Sequence, residues 1–182
     1  GFGSGTLYGV PVTGELVGLM FNDEAGHAKR PAGPVPRTLD EDMEDYALIK
    51  GAGWTPILVG AADGEMLHVY GSILGSLVTP ESLDSFVYGR DGGSFDTEAA
   101  VKAAGMLLAM RDRGFFADGY ASMTSEEAYG RFVSDEAQFL ATGSWAWPAL
   151  KATGRSFTLV TWEPETAGGI AFEFPVHPIQ ET

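Results

Sequence analysis

The sequence predicts an α/β fold, a small mixed sheet covered by helices. Three observations carry that expectation. Short apolar, β-branched runs alternate with longer segments of helical period. Helix-start signals recur along the chain. Helices outnumber strands, and the first two strands lie next to each other. Hydrophobic residues make up 45% of the chain, with four Trp and eleven Phe, enough for a packed core.

Leu7–Val12 and Glu15–Phe21 read as two strands parted by Thr13-Gly14. Residues 22–37 carry three prolines and several turn formers, so the expectation there is a surface loop. Thr38 with Glu41 forms a capping box that opens a helix from Leu39 to about Lys50. Leu39, Met43, Tyr46, Ala47 and Ile49 make its apolar stripe, while Asp40, Glu41, Asp42, Glu44 and Asp45 are expected to face water. Gly51 and Gly53 end it. Thr55–Val59 is a compact strand, and residues 60–64 loop into a helix from Glu65 to about Leu77.

Thr79-Pro80 starts a further helix to about Tyr88. Asp96 is the expected cap of the longest helix, Thr97–Arg113, which Gly114 closes. A second box, Thr124 with Glu127, opens a short helix to about Ser134. Ala137–Ala141 is a buried strand. It breaks at Thr142-Gly143-Ser144, where Ser144 would cap a helix starting at Trp145. Phe157–Trp162 and Ile170–Val176 complete the apolar runs.

Composition narrows the function classes. A net charge of −14 argues against nucleic acid or an acidic lipid surface as partner. The absence of cysteine excludes disulfides, thiolate metal sites and cysteine nucleophiles. No apolar run approaches the about 18–20 residues of a membrane span. His27, His68 and His177 are scattered with no metal-ligand spacing, and T-G-S-W-A lacks the second glycine of a nucleophile elbow. No glycine-rich phosphate loop follows a strand. Nothing demands an enzyme, a metal or a cofactor.

The most informative stretch is Ala137–Leu150. Trp145 and Trp147 fall in the first turn after a strand, where helix-start N–H groups lack partners. An indole face beside free donors suits a sugar ring. The same spacing also serves a buried strand–helix corner.

Several motifs occur in series. They are LYGVP followed by a strand ending at Asn22, the block from Ser122 to Phe132, and GSWAW. This series resembles the extracellular solute-binding proteins of sugar ABC transporters, the group that includes maltose-binding protein, over about residues 6–162. The resemblance implies most of the second lobe of a two-lobed, periplasmic-binding-protein-like (type II) fold. It places 1–182 in one domain, with hinge-like segments near 8–15 and 168–176. It implies Trp145 as the tryptophan that stacks on sugar, Trp147 as a mostly structural neighbour, and Glu15, with Thr13 beside it, as a cleft carboxylate near the hinge that accepts sugar hydroxyl hydrogen bonds. Glu65 stands where the family often presents an aromatic, so a stacking platform is replaced and a different sugar, or none, is implied.

The implied function is sugar capture for an ABC importer, outside the cytoplasmic membrane, with a lipid anchor before residue 1 as one arrangement. The implied partners are a sugar, the permease subunits, and a missing first lobe or a second copy. No catalytic step is implied. The rival expectation is a scaffold module that dimerises through the exposed cleft face. A glycosidase using two carboxylates ranks third.

Overall fold

The computed structural model describes residues 14–29, 38–90 and 92–160. The strand expected at Leu7–Val12, the apolar run Ile170–Val176, Thr13, and most of the two hinge-like segments lie outside these residues.

Four strands form one sheet: β1 (Val17–Asn22), β2 (Thr55–Val59), β3 (Ala137–Gly143) and β4 (Phe157–Val160). Their order is β2-β3-β1-β4. β2 runs parallel to β3, and β1 is antiparallel to both of its neighbours. All seven residues of β3 are buried, as a strand with paired neighbours and helices on both faces must be.

Successive side chains in the middle of the strands point to opposite faces. Leu19, Phe21, Ile57, Val59, Phe139 and Ala141 face one helical layer, built from α2 (Leu39–Gly51), α3 (Met66–Leu77) and α5 (Glu98–Asp112). Met20, Leu58 and Leu140 face the other, built from α6 (Ser125–Val133) and α7 (Trp147–Lys151). Two helices stand apart from these layers: α1 (Asp23–Lys29), and α4 (Pro80–Val87), which buries no residue. Among the described residues no helix is long and apolar enough to cross a membrane.

The local signals mostly hold. Thr38 and Glu41 form the reciprocal capping box, and the Thr79 and Thr124 hydroxyls accept the Ser82 and Glu127 N–H groups. Four expectations change. Residues 23–29 are helical rather than looped, because the Asn22 carboxamide oxygen accepts the Ala25 N–H at 3.1 Å and Asp23 and Glu24 sit at the positive end of the helix. Asp45 is buried, not turned to water. Thr97, not Asp96, caps α5, accepting the Ala100 N–H at 3.1 Å. Ser144 does not cap its own helix; its hydroxyl accepts the N–H of Leu16, 128 residues away, at 3.1 Å.

Candidate functional site

The candidate site gathers at the end of the sheet where β2 and β3 stop and β1 begins. In open α/β sheets this carboxyl end of parallel strands is the usual place for a ligand crevice. Gly60, just past β2, lies against the start of α6: a Cβ there would come within 2.5 Å of the Ser125 Cα. Only glycine permits that approach. It lets the Asp63 carboxylate accept the Ser125 N–H at 2.6 Å and lets Glu65 Oε1 accept the Ser125 hydroxyl at 3.1 Å. One loop thus supplies two carboxylates to the first turn of α6, where orphan N–H groups and the helix dipole favour negative charge.

Glu65 is only 7% exposed, and its Oε2 has no hydrogen-bond partner of ordinary geometry among the described residues. Burial pushes its carboxyl above the usual range. The Ser125 hydroxyl, His68 and the nearby Thr142 hydroxyl oppose that shift, and the Asp63 carboxylate adds to it. Behind it the Tyr129 and Thr142 hydroxyls meet at 3.4 Å. The phenol is raised first by burial and then by the Glu65 charge.

One turn along α3, the His68 imidazole lies against Trp145, with ring centroids 5.2 Å apart and planes inclined by 53°. The indole is fixed from the other side. Leu16 and Ser144 exchange two hydrogen bonds, the Ser144 N–H donating to the Leu16 carbonyl at 2.8 Å, which sets the turn after β3. The ring then folds over Gly143, where a Cβ would collide with the indole. Trp145 is half-buried rather than sealed into the core.

The structure brings Trp145 and Glu65 to one end of the sheet and adds His68 between them. Glu15 is exposed at that same end, beside Leu16. Trp147 is half-buried and packs against the core beneath α6 and α7. Thr13 lies outside the described residues. The expected free donors at the helix start are partly spent, since the Ser144 N–H goes to Leu16 and the Trp147 N–H to the Ser144 carbonyl. Sequence reading missed His68, Ser125, Tyr129 and Thr142. The signal for His68 was its position three residues after Glu65, on the same helix face; the others meet Glu65 only through the fold.

No family model matches the chain. It is 24% identical over 160 residues to the multiple sugar-binding protein of Streptococcus mutans serotype c (strain ATCC 700610 / UA159), a match covering 86% of this chain and 38% of that protein. Among solved structures, a chitin oligosaccharide binding protein superposes with a TM-score of 0.76 at 21% identity, over 91% of this chain and 42% of its own. This is the fold of one lobe of the sugar solute-binding proteins. A family 1 extracellular solute-binding protein from Bifidobacterium longum subsp. infantis agrees, with a TM-score of 0.68 at 18% identity over 85% of this chain and 40% of its own. The lobe spans about two-fifths of the length of the relatives it matches. Those relatives are named as binding proteins, not as enzymes.

Proposed function

We propose that the chain supplies one wall of the sugar-binding cleft in the solute-binding component of an ABC importer, acting outside the cytoplasmic membrane. The observation that carries the reading is the half-buried Trp145 indole at the carboxyl end of the sheet, backed by His68 and Glu65, in a lobe with a sugar-binder fold. An indole offers the flat apolar face that sugar C–H groups stack on, and a carboxylate accepts hydroxyl hydrogen bonds of the stronger, charge-assisted kind. Glu15 and Thr13 add polar contacts from the strand entry, and Trp147 supports the turn from behind.

Function is capture, not conversion. Segments near 8–15 and 168–176 are the hinge, the rest of the chain is one domain, and a second wall closes over the ligand. Binding energy then selects the closed state that permease subunits engage. A single wall makes only part of the contacts, so this chain binds sugar with Kd near millimolar, about −4 kcal/mol. Titration calorimetry against neutral oligosaccharides tests this: millimolar heats that vanish in Trp145→Ala support it. Sub-micromolar affinity contradicts the single-wall reading, and binding unchanged in Trp145→Ala removes the site assignment. Concentration-dependent dimerisation indifferent to every sugar favours a scaffold role instead.

A further inference from the structure

We propose that this site selects a sugar carrying a cationic amine, with Glu65 as the specificity-determining residue that receives the ammonium and Trp145 as the face beside it. The inference rests on the sugar-cleft reading above and names its substrate class.

Its ground is the unequal treatment of the two Glu65 oxygens. Oε1 takes the Ser125 hydroxyl, while Oε2 is buried with no donor at bonding geometry among the described residues. A carboxylate oxygen withdrawn from water and left unpaired carries the desolvation penalty of that group in full, the more so when charged. A ligand donor that completes the pair recovers that cost. An ammonium does so better than a hydroxyl, because it cancels the buried charge as well.

The surroundings point the same way. The charged groups that face Glu65 are Asp63 and His68, one acid and one imidazole. Among the described residues no Lys or Arg joins them, so the carboxylate lacks the kind of cation that Arg155 supplies to Asp135 at the other end of the sheet. A cation also gains from the electron-rich face of the Trp145 indole. An anionic sugar meets two carboxylates and, among the described residues, no fixed cation, and is rejected.

The test compares two ligands of equal length, the tetramer of glucosamine and the tetramer of N-acetylglucosamine, titrated at millimolar concentration into the 182-residue chain near neutral pH. The Trp145 indole N–H resonance is the readout. We expect the free amine to bind at least tenfold more tightly than the acetylated sugar, and the gap to narrow with added salt. In Glu65→Gln the preference disappears, the two tetramers then binding within threefold of each other. The unchanged dispersion of the remaining amide resonances shows that this variant is folded, and Glu65→Asp, which keeps the charge, retains part of the preference. Equal or tighter binding of the acetylated tetramer overturns the inference and leaves the sugar-cleft reading standing. A preference that survives in Glu65→Gln also overturns it. Binding of neither tetramer, nor of any neutral oligosaccharide, overturns both.

Discussion

The two ends of the sheet treat their charges differently. At the amino end of β3, the Arg155 guanidinium reaches Asp135, the Val133 carbonyl at 2.6 Å and Glu24 at 3.4 Å. The Asn22 carboxamide N–H donates to Asp135 at 2.8 Å, and Asp23 accepts the Ser156 and Thr158 hydroxyls at 2.6 and 2.9 Å. Trp54 donates its indole N–H to the Asp135 carbonyl at 3.1 Å. Each carboxylate there has a donor, and the group ties β1, β3 and β4 together. At the carboxyl end Glu65 is more deeply buried, yet among the described residues one oxygen stands without a donor at bonding geometry and no arginine answers it. A buried polar network that is satisfied holds a fold. One left incomplete in a native structure asks for a partner. The first end is the clasp, and the second is the wall.

The largest expected separation comes from Arg155→Ala. It strips Asp135 of its cation and frees the Val133 carbonyl, so we expect a loss of about 1–3 kcal/mol in urea unfolding, with the ligand response of the folded fraction intact. Gly143→Ala comes next. The new methyl collides with the indole and meets the Leu16 carbonyl at 2.6 Å. We expect about 1–3 kcal/mol of destabilisation from overpacking, here with ligand binding lost, because Trp145 must leave its seat over the strand. Trp145→Ala should cost less stability than either, about 1 kcal/mol for a half-buried ring, and should still abolish the ligand response. If Arg155→Ala weakens binding as much as Trp145→Ala does, the division between the two ends is wrong.

The smallest effect concerns pH. The folded-state carboxyl of Glu65 is raised by burial, so the native state holds its proton to higher pH than the unfolded chain does. Stability therefore falls as pH rises from the ordinary carboxylate range through the raised value, and levels off above it. Glu65→Gln should flatten that slope in thermal melts taken across the window. A slope of opposite sign, with stability rising through the same window because of this residue, would show that the fold does not raise the Glu65 carboxyl.

Much of this was legible in the sequence where the physics is local. Thr38 with Glu41, Thr79 before Pro80, and Thr124 with Glu127 mark helix starts because the cap and its target N–H lie within one turn. Asp96 was a plausible cap, but it lies next to an equally good one, Thr97, and pattern alone does not choose between neighbours. The Asn22-Asp23-Glu24 start of α1 carried a cap and two favourable acids, but the prolines that follow masked it. The remaining misses are non-local. Ser144 looks like a cap until β1 arrives from 128 residues away and takes its hydroxyl. Asp45 reads as solvent-facing from its acidic neighbours, and its burial depends on what packs against α2. At the site, Trp145 and Glu65 could be singled out by residue type and resemblance, whereas Ser125, Tyr129 and Thr142 are common residues that gain meaning only from their distance to Glu65.

The most direct test uses the indoles at opposite ends as paired reporters. With the side-chain N–H resonances of the 15N-labelled chain assigned by Trp54→Phe and Trp145→Phe, an oligosaccharide titration should move Trp145 progressively while Trp54, bonded to Asp135, stays fixed. Movement of Trp54 alone, or of neither indole at saturating sugar, would contradict the placement of the ligand wall at the carboxyl end of β3.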